Sequence, residues 1–274
     1  MQRIVRLFIS HAFFAACCAV ALCWQTYRWL HLPVALPAFG FVFFATIASY
    51  NYHFFVAGVA QYPIHQWHRI LFRNSHGFLI LPAFISAGCC YTLMTVPLPL
   101  ILLAMAGSFL YTLPLWPVAH LHLFRKVGIL KTILLAFIWA WVSCINIPVP
   151  MWTTSWLPIL LFSWRFFLVF LLCILFDRRD RQRDLQNGYH SVATDLEPHS
   201  LALLYWASWL LWGFISIILS AILWNPAEAV AQWLVLAAVG VSWKKLQQQS
   251  GFWYYYLLVD GYMFLSGCIS ILLG

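Results

Sequence analysis

Nine long apolar stretches fill most of this sequence, near 7–30, 34–60, 78–95, 97–118, 130–149, 156–176, 201–222, 228–242 and 252–273. A hydrocarbon core about 30 Å thick takes roughly 20 helical residues to cross, so each stretch is close to the length of one crossing. The expected fold is all-α, a polytopic membrane helical bundle of about nine transmembrane helices forming a single transmembrane domain over 1–274. The third and fourth stretches are parted only by 95–99, and the eighth is short.

Composition agrees with the bilayer as solvent. The chain is 64% hydrophobic and 8% charged, against about 25% charged residues in a soluble domain. Trp24, Trp29, Trp152, Trp156, Trp253 and Tyr256 lie near the ends of stretches, where amphipathic rings anchor at headgroup level. The basic start and apolar run over 1–30 resemble a signal peptide, but the run reaches Leu30 without a small-residue cleavage site and is read as the first helix. The eight cysteines include the pairs Cys17/Cys18 and Cys89/Cys90, and none has C-x-x-C spacing. They read as small buried apolar residues.

A net charge of +8 raises the question of nucleic acid, but the basic residues fall in short loops between stretches and form no basic face. Membrane orientation accounts for them. Thirteen of the fifteen Lys and Arg occupy the N-terminus and the second, fourth, sixth and eighth loops, among them Arg125, Lys126, Lys131, Lys244 and Lys245. The other side holds Arg28 alone, and Arg165 lies within a stretch. Lys and Arg collect in cytoplasmic loops, which places the N-terminus in the cytoplasm and the C-terminus outside. No nucleic-acid partner is expected, and membrane lipids are.

The longest non-apolar segment, 177–200, follows the sixth stretch on the cytoplasmic side and opens with Asp177, Asp180 and Asp184. If the helix continues, these fall at i, i+3 and i+7 on one face. Carboxylates so placed repel one another unless a cation lies between them, and oxygen ligands suit Mg²⁺ shared with a diphosphate. The interleaved Arg178, Arg179, Arg181 and Arg183 would hold phosphate oxygens or anionic headgroups. The competing reading is a positive-inside loop whose aspartates pair with those arginines. Before the eighth stretch, Asn225, Pro226 and Glu228 form a helix start of cap, first-turn proline and acidic third residue.

Asp177-x-x-Asp180-x-x-x-Asp184, followed by Gln186-Asn187-Gly188 and the segment from Ser191 to Thr194, resembles the second aspartate motif of the UbiA superfamily of intramembrane prenyltransferases. Tyr111-Thr112-Leu113-Pro114 leading through Arg125 and Lys126 to Lys131, and then Trp139-Ala140-Trp141, fits the same layout. The resemblance implies a UbiA-like fold in a bacterial inner membrane and an intramembrane cavity for an isoprenoid diphosphate. It implies Mg²⁺ at Asp177, Asp180 and Asp184, and phosphate contacts from Lys126, Lys131, Arg178 and Arg181. Transfer of the prenyl group to a lipophilic acceptor would follow.

The departures are specific. The family's first motif places acidic residues one, four and eight positions after an asparagine, whereas Asn51 is followed at those places by Tyr52, Phe55 and Val59. The lysine expected four residues after the tyrosine of the fourth helix is Leu115. Losing one carboxylate cluster removes much of the charge stabilisation that ionises a prenyl carbon. A non-catalytic relative that binds a lipid or a partner protein is therefore the alternative. Asn51, His53 and Tyr111 remain as cavity residues, His53 being either a polar contact to substrate or a hydrogen-bonded histidine near a helix end. His65/His68 and His120/His122 lack a nearby third ligand and read as interfacial. Arg165 falls about 18 Å up the helix from Asp177 and needs an interior partner. Asp260, the acidic residue deep in the ninth stretch, is the expected one, either as a clamp or as a polar wall of the cavity.

Overall fold

The computed structural model describes residues 7–60, 62, 66–71, 74–113, 128–188, 190–245, 255 and 259–273. Among them every regular element is helical. In chain order these are α1 (Phe13–Trp29), α2 (Leu36–Val59), α3 (Trp67–Leu71), α4 (Ser75–Tyr91), α5 (Leu98–Thr112) and α6 (Gly128–Cys144). There follow α7 (Val149–Thr154), α8 (Leu157–Asn187), α9 (Val192–Asp195), α10 (Pro198–Ile222), α11 (Pro226–Lys245) and α12 (Asp260–Leu273). Each of the nine apolar stretches carries one of the longer helices, and α3, α7 and α9 are short connectors.

Four helices are long and apolar enough to cross a membrane: Leu36–Val59, Leu157–Gln186, Pro198–Ile222 and Pro226–Lys245. The others run from 14 to 17 described residues, roughly 21 to 26 Å at 1.5 Å per residue. The eighth stretch proves longer than its hydropathy predicts, because Asn225 caps it: the Glu228 N–H donates to Asn225 Oδ1 at 2.9 Å. The sixth overruns its apolar run by 11 residues to Asn187 and stops at Gly188, which takes the left-handed conformation (φ 66°) open to glycine.

Polarity is arranged inside out. On α10, Leu203, Leu210, Phe214 and Ile217 are all more than half exposed on one face, while Tyr205, Ser208, Trp212 and Ser216 are buried. An apolar outer surface of this kind belongs in hydrocarbon, and buried polar groups must then find partners within the bundle. α1 runs through the middle, against α2, α6 and α12. Its seam with α12 is the closest, since a Cβ on Gly267 would lie 2.6 Å from the Ala21 backbone. The buried core extends across these helices through α8, α10 and α11.

Candidate functional site

Because α8 continues, the aspartates do share one end of a regular helix, as their spacing required. Asp177 accepts from the Thr132 hydroxyl of α6 at 2.8 Å. Asp180 is held in a fork by Arg179, with Nε at 3.0 Å and Nη2 at 2.6 Å, and Arg183 Nη2 approaches to 3.4 Å. Asp184 lies within electrostatic reach of Asp180, Arg183 and Lys131. The turn after α8 closes this end of the bundle. Lys131 Nζ donates to the His190 carbonyl (3.0 Å), and His190 Nδ1 lies 2.7 Å from Asp195 Oδ1. Asp195 Oδ2 in turn takes the first N–H of α6, from Gly128, at 2.5 Å, a carboxylate placed at a helix N-terminus. Gly128 is required there, since a Cβ would meet the Ser191 backbone at 2.3 to 2.5 Å.

The other expected site residues divide. Arg178 turns away from the aspartates: its Nη1 donates to the Trp243 carbonyl (2.6 Å) and its guanidinium lies 3.7 Å from the centre of the Trp243 ring, tying α8 to α11. Arg181 keeps a buried Nε without an acceptor among the described residues. Asn51 is wholly buried and used up within the fold, donating to the carbonyls of His11 (3.0 Å) and Ile47 (2.8 Å) while its Oδ1 lies 2.9 Å from His76 Nδ1. Lys126, Arg125, His65, His120 and His122 lie outside the described residues.

His53 and Tyr111 do come together. Their rings are 5.0 Å apart, and His53 Nδ1 lies 3.3 Å from Thr112 Oγ1. Tyr50, one turn earlier on α2, accepts from Trp139 Nε1 at 3.1 Å. Tyr50, Tyr111, Cys173, Asp177 and Asp260 are linked electrostatically from α2, α5, α8 and α12. Each of these side chains, like that of His53, is half-buried. They form a polar cluster within an apolar bundle, and Asp177 joins it to the aspartate end of α8. The sequence signal for it is weak, because its residues come from four separated stretches and only Asp177 belongs to a motif.

The expected pairing of Arg165 with Asp260 is not what the structure has. Arg165 is fully buried, donates to Gln25 Oε1 and to the Leu22 carbonyl (3.0 Å), and lies 5.0 to 5.1 Å from the ring centres of Trp29 and Trp164. Gln25 passes the interaction on: its Nε2 donates to Ser270 Oγ at 2.8 Å, and Ser270 donates to Glu228, which also receives Trp29 Nε1 at 2.7 Å. The acidic counterpart of Arg165 is thus Glu228, reached through two neutral side chains. The charge felt by Asp260 is that of Arg179. Glu228 was legible as a helix-start residue and not as a core residue, because nothing local distinguishes the two roles.

Among the described residues no three His, Cys, Asp or Glu side chains gather closely enough to hold a metal ion. With Asp180 held by two arginines, the remaining oxygen donors are Asp177 and Asp184. That set fits Mg²⁺ held by one or two carboxylates and completed by phosphate and water, and not an all-protein cage. At the opposite end of the bundle a recess is lined by Trp24, Tyr27, Arg28, His31, Leu32 and Val34. No family model, curated protein or solved structure matches this chain.

Proposed function

We propose that this chain is a polytopic membrane protein of about nine transmembrane helices, related to the UbiA superfamily, that binds an isoprenoid diphosphate. Its basic end and N-terminus face the cytoplasm of a bacterial inner membrane, and its C-terminus faces outward. The observation that carries the reading is the polar cluster of Tyr50, Tyr111, Cys173 and Asp260 within the apolar bundle, which reaches the α8 carboxylates through Asp177. A prenyl chain suits the apolar bundle and a diphosphate suits the charged end. Asp177 and Asp184 would hold Mg²⁺, which supplies positive charge to the diphosphate. Lys131, which donates to the His190 carbonyl and lies within electrostatic reach of Asp184, would add a cationic group beside them, and Arg181 a second from the aspartates' own helix.

A specific observation favours binding without transfer. Ionising a prenyl diphosphate calls for positive charge on both sides of the leaving group, and α2 offers no carboxylate to hold a second ion. Asn51, at the head of the missing motif, is spent on His11, Ile47 and His76. The same fold then serves as a lipid-binding protein, with prenyl transfer to a lipophilic acceptor lost or slow.

Thermal unfolding in detergent tests the binding itself. A ligand that binds only the folded state stabilises it by RT ln(1 + [L]/Kd), about 2.7 kcal/mol at a hundred times Kd. Mg²⁺ and farnesyl or geranylgeranyl diphosphate together are expected to raise the melting temperature more than the sum of either alone. Asp177→Asn keeps an acceptor for Thr132 and is expected to remove this synergy. A parent protein indifferent to Mg²⁺ with every prenyl chain length overturns the proposal.

A further inference from the structure

We propose that the recess at the end opposite the aspartates binds the phosphate of a phospholipid from the leaflet on that side, through Arg28, Tyr27 and His31. The recess holds about 230 Å³ between the end of α1 and the chain that leads into α2. Trp24, Tyr27, Arg28 and His31 all line it because residues three and four apart share one side of a helix. His31 then reverses the chain. Its φ is 52°, its N–H donates to the Arg28 carbonyl at 3.2 Å, and the Leu32 N–H reaches back to the Tyr27 carbonyl at 2.9 Å, the paired bonds of a Schellman cap. Leu32 and Val34 thereby become the other wall. Phe39 of α2 backs the aromatic side, its ring centre 5.0 Å from that of Trp24 and 5.2 Å from that of Tyr27.

Three observations point to an anionic head. Arg28 is exposed, and no described residue accepts from its guanidinium or pairs with its charge. Tyr27 is 6% exposed, yet no described residue bonds its hydroxyl; a buried donor left unmade is costly, and a ligand oxygen offsets the cost. His31 holds a left-handed conformation that glycine takes freely, so backbone strain is retained at the rim together with a ring that lines the recess. The C-terminus of a helix repels an anion with roughly half a charge, but the Tyr27 and Arg28 carbonyls are spent on the cap and the guanidinium carries a full positive charge. Its planar fork matches phosphate oxygens. The apolar wall indicates a lipid and not a free phosphate: Val34 and, two residues on, Leu36 are 55% and 73% exposed, a surface for an acyl chain. The inference rests on the chain being embedded in a membrane, but not on the diphosphate.

Three probes separate head from chain: dioleoylphosphatidylglycerol, dioleoylglycerol, which lacks the phosphate, and glycerol phosphate, which lacks the chains. Native mass spectrometry of the detergent-solubilised full chain counts bound lipids and gives their relative affinities. The phospholipid is expected to bind the parent protein about ten- to a hundredfold more tightly than the diacylglycerol, the span of one hydrogen bond to a charged group. Glycerol phosphate at the same concentration is expected to leave it in place. Because the basic end also attracts anionic lipid, variants isolate this site. Arg28→Gln is expected to remove one bound phospholipid, and Tyr27→Phe to weaken that one about tenfold. His31→Gly relieves the backbone, so it is expected to keep or raise the melting temperature while weakening the same lipid, which a purely structural histidine would not do. Equal binding of phospholipid and diacylglycerol to the parent, which requires no variant to fold, overturns the proposal, as does a full complement of bound phospholipid in Arg28→Gln. Displacement by equimolar glycerol phosphate would make the occupant a soluble phosphate and overturns the lipid assignment. Farnesyl diphosphate with Mg²⁺ reports on the Asp177 end alone, so either site can fail without the other.

Discussion

A single buried arginine organises the middle of the bundle. From sequence, Arg165 was recognisable as a charge that needed a partner, because its place in a long apolar stretch makes isolation too costly. Which partner it finds was not recognisable, since spacing along one helix says nothing about which neighbours touch it. The structure answers with Gln25, Ser270 and Glu228, side chains whose neutral or terminal positions gave no signal. The network predicts a specific pattern of coupling. Removing one end of a buried charge pair typically costs about 3–5 kcal/mol because the other charge is left uncompensated. Arg165→Leu and Glu228→Leu are each expected to destabilise by that order, and the double variant by less than their sum, with a coupling of about 0.5–3 kcal/mol. Arg165→Leu combined with Asp260→Leu is expected to be additive. Unfolding in graded denaturing detergent measures all four, and the reverse pattern would restore Asp260 as the partner.

At the scale of elements, two features decide how helices meet. One is the overrun of α8, whose 31 residues span about 46 Å and carry the aspartates beyond the apolar run. Without it the i, i+3, i+7 spacing would have no helix to act on. Hydropathy ends the stretch at 176 because it scores charge and not helicity; Gln186-Asn187-Gly188 was the better stop signal. The other feature is the seam between α1 and α12, where Gly267 lets the two backbones approach and Gln25 reach Ser266 and Ser270. Close approach through small residues is a leading source of helix association in lipid. A methyl at Gly267 has no flexible neighbour to displace, so Gly267→Ala must push the helices apart, at a cost of about 1–3 kcal/mol. Gly261, on the same helix with nothing within 4 Å of its Cβ position, is the control. Gly261→Ala is expected to be neutral or to stabilise by up to about 1 kcal/mol through the unfolded state. If both variants unfold alike, the seam is looser than its geometry indicates.

For the whole molecule, the nine longer helices among the described residues were legible in the sequence and the polar cluster was not. An apolar run is a local property, whereas the polar cluster draws Tyr50, Tyr111, Cys173 and Asp260 from positions over 200 residues apart. The one-sided charge is also global, and it survives in three dimensions among the described residues. Lys131 meets the turn after α8, Arg178 meets Trp243 beside Lys244 and Lys245, and Arg28 sits at the far end near Trp29, where α1 meets the start of α11. Positive charge resists translocation, so the basic end is expected in the cytoplasm, and the helices fix which other residues share that side. Ser75, at the start of α4, lies at the basic end because Asn51 and His76 bond beside it; Gln186 closes α8 there. Thr154, in the connector before α8, is at the opposite end. Each of the three is exposed, so in a cysteine-free background Ser75→Cys, Gln186→Cys and Thr154→Cys disturb packing little. An impermeant maleimide applied to intact cells is expected to label Thr154→Cys alone and to reach the other two only after the cells are opened. Labelling of Ser75→Cys or Gln186→Cys in intact cells would invert the molecule and put the aspartate end outside, away from any cytoplasmic supply of diphosphate. Labelling of all three would mean that this bundle does not separate two compartments, and the inside-out arrangement of its surface would then need another apolar partner.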